Sequence, residues 1–162
     1  MTTPVAIIRR NGEGDTRWFY GGGVHTWKAT SDETDGALLA FEDMVAEGKT
    51  TPLHSHPEAD EALYVLEGEI LVHIDGMQHR LEAGGFSFAP RGVAHAFVVV
   101  TPSARLLTLQ TPGTGDAFFR GASEPLDPTV VTGPIDFAKV GHAAHATGAT
   151  VILGAAPFDL GG

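Results

Sequence analysis

The sequence predicts an all-β fold, a sandwich or a barrel, and three features carry that expectation. Between Ala62 and Gln110, short runs of aliphatic, β-branched and aromatic residues recur at roughly ten-residue spacing. Glycine and proline number 21 and 10 in 162 residues, and punctuation that dense divides a chain into short strands joined by turns. No long helical pattern interrupts these runs, which sets aside a doubly wound parallel sheet.

The elements follow in order. Residues 1–36 hold two short apolar bursts, Val5–Ile8 and Trp18–Tyr20, with Gly21-Gly22-Gly23 after the second. That glycine run is not a phosphate loop, because no Walker lysine follows and no strand-to-helix context surrounds it. Ala37–Glu47, ALLAFEDMVAE, is ambiguous. Its residues are helix formers and Gly48 suits a helix end, yet it also reads as a strand running into the next segment. Ile70–Ile74 and Met77–Leu81 flank Asp75-Gly76, a strong two-residue hairpin signal. Gly84-Gly85 marks a turn before the Phe86/Phe88 alternation, and Pro90-Arg91-Gly92 marks another. Val93–Val100 and Arg105–Gln110 are further strands. After Gly113 the character changes. A short helix is expected over Asp136–Ala146, capped by Asp136, with Phe137, Val140 and Ala144 as its apolar stripe. Val151–Leu153 reads as a last strand.

Composition narrows the function classes. The length and the 43% hydrophobic content suit one domain, 1–162, with a sizeable core. The formal net charge of −10 disfavours nucleic acid and anionic membrane surfaces as partners. The absence of cysteine rules out disulfides, zinc-thiolate sites, iron–sulfur clusters and a cysteine nucleophile. No stretch approaches the length of a membrane span, and the N-terminus lacks a signal-peptide pattern, so a cytoplasmic location is expected.

The segment Thr51–Glu61, TPLHSHPEADE, carries the chemistry. On a strand, residues two apart point the same way, so His54 and His56 share a face. Pro57 breaks that strand and lets Glu61 start the next one, turned back toward the imidazoles. Two imidazoles and a carboxylate suit a divalent transition metal. Surface histidines with a solvated glutamate are the competing reading for such a short motif. The other histidines are weaker signals. His73 and His79 lie on the two arms of the Asp75-Gly76 hairpin, where a facing pair competes with ordinary solvated strand positions, the preferred reading because neither falls in a motif. His142 and His145 read as exposed helix residues, and His25 beside Trp27 is uninformative.

With its glycines, the segment reads Gly48-x5-His54-x-His56-x4-Glu61-x6-Gly68, and Gly84-x5-Pro90-x-Gly92-x2-His95 follows after fifteen residues. These two stretches resemble the paired signature motifs of the cupin superfamily, matching at nine specified positions. The resemblance implies a cupin jelly-roll β-barrel, here with a short C-terminal helical extension. It places the barrel core at about 37–112 and the extension at about 113–162, and it makes Ala37–Glu47 a strand. It also implies that His54, His56, Glu61 and His95 hold one divalent transition metal ion, Fe, Mn, Ni or Co, with Zn an option as purified. The second motif of the family usually ends in Asn where this chain has Val99. Phe97 and Val99 share the strand face of His95, which puts them at a substrate pocket or in ordinary core packing.

The runs PLHSHPEADEALYVLEGE, PRGVAHAFVV and LLTLQTPG followed by AFFRGASEP are similar to those of single-domain bacterial cupins related to quercetin 2,3-dioxygenase. That similarity implies a metal-dependent dioxygenase cleaving a flavonol or similar enol-bearing ring, with Glu61 as a catalytic base as well as a ligand. The same fold and ligands also serve non-enzymatic small-molecule binding, isomerases and decarboxylases. Expected partners are a small-molecule substrate and a second copy in a homodimer, where the N-terminal segment would cover a sheet edge.

Overall fold

The computed structural model describes residues 3–126 and 133–160. Residues 127–132 of the C-terminal extension lie outside them. In chain order the elements are β1 (Asp15–Phe19), β2 (Val24–Ala29), β3 (Leu39–Ala46), β4 (Leu53–Ser55), β5 (Asp60–Glu67), β6 (Glu69–Ile74), β7 (Met77–Glu82) and β8 (Phe86–Ala89). There follow β9 (His95–Val99), β10 (Ser103–Thr111), α1 (Asp116–Gly121), β11 (Ser123–Pro125), α2 (Phe137–Thr147) and β12 (Val151–Gly154). The strands make two antiparallel sheets, ordered β11-β1-β2-β3-β10-β5-β8 and β12-β4-β9-β6-β7. The fold is therefore the all-β jelly roll, with both helices in the C-terminal extension.

Local chemistry explains most of the element boundaries. Ile74 pairs with Met77 across β6 and β7, which leaves Asp75 and Gly76 as a two-residue loop. Both have positive φ, 50° and 77°, as a type I′ hairpin turn requires. Ala37–Glu47 contributes β3, despite its helix-forming composition. Leu39, Phe41, Asp43 and Val45 alternate inward, and β3 is bonded on both sides, by β2 and β10. Two ladders and an inward row of side chains outweigh a few tenths of a kcal/mol per residue of helix preference. Among the early apolar bursts, Trp18–Tyr20 supplies β1, whereas Val5 and Ile8 are exposed and belong to no strand. The N-terminal segment instead lies along its own chain, with Arg9 bonded to the Lys28 carbonyl and paired with Glu33.

The core has two lobes. One lies inside the barrel and joins Val45, Leu63, Val65, Ile70, Val72, Val99, Ala104 and Leu106. The other joins Phe19, Trp27, Leu39 and Phe41 of β1–β3 to Phe118, Phe119, Ala122, Val140, Ala143 and Ala144 of the extension. The extension thus closes one end of the barrel. Asp136 caps α2 as the sequence predicts, accepting from the Lys139 N–H at 3.1 Å. Its buried stripe is Val140, Ala143 and Ala144, while Phe137 stays half-exposed. His142 and His145 are exposed, as expected. His73 and His79 do not face each other. His73 pairs with Gln78 and His79 with Val72, one register step apart, so their side chains leave opposite faces of the hairpin. No helix among the described residues is long and apolar enough to cross a membrane.

Candidate metal centre and cavity

Four side chains from two sheets converge. His54 on β4 pairs directly with His95 on β9, and His56 follows just beyond β4. Glu61, near the start of β5, comes from the facing sheet. One ligand atom from each of the four residues lies within 4.8 Å of all the others. The cluster is largely buried, with His56 and His95 at 2% and 9% exposure.

The hydrogen bonds around the rings set their orientation. Nδ1 of His54 meets the Pro52 carbonyl at 2.8 Å, Nδ1 of His95 meets that of Val93 at 2.9 Å, and Nδ1 of His56 meets that of Ala149 at 3.3 Å. A carbonyl only accepts, so Nδ1 of His54 and of His95 carries the hydrogen and donates, while His56 Nδ1 also meets the Thr150 hydroxyl at 3.1 Å, which can donate or accept. The Nε2 atoms of His56 and His95 are thereby turned onto Glu61, at 3.0 Å from Oε2 and 3.2 Å from Oε1. A bare Nε2 lone pair facing a carboxylate oxygen is repulsive, so a cation belongs between them, either a proton or a metal ion. His56 Nε2 is buried without a hydrogen bond. Imidazole and carboxylate donors suit a late first-row divalent ion. The residues present therefore fit a metal, with the backbone-bound Nδ1–H groups of His54 and His95 as the outer support such ligands need.

The electrostatics agree. Burial, followed by the neighbouring His95 and His56, lowers the His54 imidazole to about 3, so it stays an uncharged donor. Burial acts to raise the Glu61 carboxyl, but the adjacent His56 and His95 imidazoles outweigh it and hold the group well below the usual carboxylate range. For His95, burial acts downward, and the hydrogen bond and charge of Glu61 raise it above the ordinary imidazole value.

Sequence reading missed one member of this environment. Gln110 on β10 stands opposite Glu61 on β5, is 1% exposed, and donates through Nε2 to Glu61 Oε2 at 2.8 Å. The available signal was the alternation Leu106, Thr108, Gln110, an inward strand row that ends in an amide.

His54, His56 and Glu61 form part of the wall of a cavity with Phe19, Phe41, Phe97, Phe118, Phe119 and Phe137. The cavity has a volume of about 70 Å³. Phe97 lines it and also packs against the inner core lobe. Val99 is 1% exposed and packs among Val45, Leu63, Ile70 and Leu106, the ordinary core role. The aromatic wall comes mostly from the N-terminal strands and the C-terminal helices, outside the two sequence motifs.

Residues 41–109 match the family model described as a cupin domain. Quercetin 2,3-dioxygenase of Bacillus subtilis (strain 168) is 27% identical over 123 residues, which are 76% of this chain and 36% of that enzyme. The matched stretch thus spans about a third of the length of that relative. The solved structure of KdgF from Halomonas sp. superposes with a TM-score of 0.59 and 25% identity, covering 68% of this chain and 94% of that one. A Thermotoga maritima structure described as a predicted oxalate decarboxylase gives a TM-score of 0.59 at 20% identity, covering 66% and 99%, and speaks for the fold alone.

Proposed function

The chain belongs to the cupin superfamily, and from that premise we propose that it is a metal-dependent dioxygenase acting on a flavonol or similar enol-bearing ring. The observation that carries this reading is the position of the ligand cluster. His54, His56 and Glu61 line a cavity walled by phenylalanines, an apolar surround suited to an aromatic molecule that presents an oxygen to the cluster. The similarity to quercetin 2,3-dioxygenase supports it.

His54, His56, His95 and Glu61 would hold the ion, Fe, Mn, Ni or Co, or Zn as purified. When bound, Fe, Mn, Ni or Co would supply a Lewis-acid position for an enol oxygen and a redox-active centre for dioxygen, whereas Zn would supply only the former. The protein's own groups do the rest. Glu61 lines the cavity beside the histidines, which places its carboxylate to accept the enol hydroxyl proton. Its reach is set by Gln110, which holds Oε2 from the opposite strand. A base placed this way contributes about 10²–10⁴-fold to rate. The Phe19, Phe41, Phe118 and Phe119 rings keep water from the opened ring.

The test is oxygen uptake by metal-stripped protein reconstituted separately with Fe(II), Mn, Ni and Co, with quercetin as substrate. Uptake matched by loss of the flavonol absorbance in at least one metal form, and not in the metal-free form, is the expected result. Quercetin binding without uptake in any loaded form would replace this reading with a small-molecule-binding cupin.

A further inference from the structure

The same cavity has a second polar end. His25, Asp43 and Lys49 line it together with His54, His56 and Glu61, yet they play no part in the ligand cluster. All three are buried, at 2%, 4% and 7% exposure. His25 on β2 and Asp43 on β3 are cross-strand partners pointing inward. The His25 ring is stacked between Phe19 and Phe41, with centroids 4.8 and 4.2 Å away. Its Nε2 stops 3.6 Å from Asp43 Oδ1, beyond hydrogen-bond length. Lys49 Nζ donates to the Gly21 carbonyl at 2.7 Å and lies 4.8 Å from the Phe19 ring centroid. The glycine run makes this packing feasible. Gly23 has φ 118°, and a Cβ there would press to 2.5 Å from Asp43 Oδ1.

Two atoms of this group lack partners. His25 Nδ1 and Asp43 Oδ1 are buried with no hydrogen bond. A buried carboxylate oxygen left unpaired is costly, and it marks a place where a ligand or ordered water completes the set. The ammonium is also under-compensated. Burial, against the opposing pull of Asp43, lowers Lys49 to about 8.

The strand register separates the two ends. Asp43 pairs with Leu106 on β10, which pairs with Val65 on β5, four residues along β5 from Glu61. Two strand spacings of about 4.8 Å and four residues at about 3.4 Å put the Asp43 and Glu61 backbones on the order of 15 Å apart.

We propose that His25, Asp43 and Lys49 form a distal anchor for a hydroxyl group on an elongated aromatic substrate whose enol oxygen sits at the ligand cluster. This rests on the reading above and narrows the substrate class to polyhydroxylated multi-ring compounds. A hydroxyl both donates and accepts, so it satisfies the free Asp43 oxygen while accepting from the Lys49 ammonium. A carboxylate at that position is repelled by Asp43, and an amine by Lys49.

The test compares equilibrium binding of quercetin and of 3-hydroxyflavone, which keeps the enol but lacks the other hydroxyls, to protein loaded with one chosen metal. The expected result is a quercetin preference of at least about 10-fold, since a site built to bond a hydroxyl discriminates strongly against its absence. In Asp43→Asn and in Lys49→Met, with circular dichroism verifying the fold, the preference narrows to about twofold or less. Equal affinity for both compounds in the unaltered protein overturns the anchor and leaves the dioxygenase reading standing. Binding of neither compound overturns both. The unaltered-protein comparison decides the matter even if a variant fails to fold.

Discussion

Gln110→Met separates the chemistry of the site from the stability of the fold. In the folded chain Gln110 Nε2 donates to the Glu61 carboxylate at 2.8 Å, whereas its own Oε1 is buried with no partner. Methionine keeps the unbranched shape and removes both groups. Losing a hydrogen bond to a charged acceptor costs about 1.5–3 kcal/mol. Removing an unsatisfied buried acceptor returns about 1–3 kcal/mol. The two nearly cancel, so the metal-free variant should unfold within about 4 °C of the parent, the shift that about 1 kcal/mol produces in a chain of this size. Metal binding should respond differently. Glu61 loses the donor that fixes Oε2, and the loss of such a supporting contact lowers metal affinity or activity by about 10–100-fold. Thermal unfolding of the metal-free protein and a competition titration against a coloured chelator measure the two quantities. A large loss of stability with unchanged affinity would show that Gln110 supports the barrel and not the site.

Glu61→Gln places an amide N–H against a histidine Nε2 and removes the proton acceptor. Turnover should fall about 10²–10⁴-fold while circular dichroism still shows the β fold, and a variant of parental rate would remove Glu61 as the base. Metal binding should displace the proton shared by His95 and Glu61, whose affinity for it is raised. Protons are therefore released, and apparent metal affinity falls as pH drops through the raised His95 value. Calorimetry in two buffers of different ionisation enthalpy checks this, and identical heats in both buffers would contradict it. His54 is lowered to about 3 when folded but takes a proton near 6.5 when unfolded. Its contribution to metal-free stability is thus fully present above about 6.5 and is lost as pH falls toward 3. An NMR titration in which the folded His54 ring protonates near 6 would refute this. Leu106, fully buried in the inner lobe, should lose about 2–5 kcal/mol on Leu106→Ala, and denaturant unfolding reads that change.

His54, His56 and Glu61 were legible as a local cluster, whereas His95 joined them only through the resemblance to the paired cupin motifs. His54 and His56 are two residues apart on one face, Glu61 follows a proline break, and His95 sits in a second motif of fixed spacing. The Asp75-Gly76 hairpin was equally legible, since two adjacent positive-φ residues specify the turn. β3 was ambiguous by propensity, which points to helix; the resemblance to the paired motifs made it a strand, and two neighbouring ladders hold it as one. Gln110 and the His25–Asp43–Lys49 group depend on strand register between segments far apart in the chain, which periodicity alone does not supply. His25 gave no signal on its own. Its meaning comes from the two phenylalanines that enclose it and from the aspartate across the ladder. The aromatic wall was hidden for the same reason, being assembled from β1–β3 and from helices near the other end of the chain.

The most direct measurement is the absorption spectrum of quercetin added to metal-free protein and to the same protein loaded with one equivalent of Co(II). A flavonol band that shifts only with the loaded protein, and no longer shifts in His54→Ala, is the result expected if the enol oxygen meets the centre formed by His54, His56, Glu61 and His95. The same spectrum with and without metal would contradict the placement of substrate at that centre.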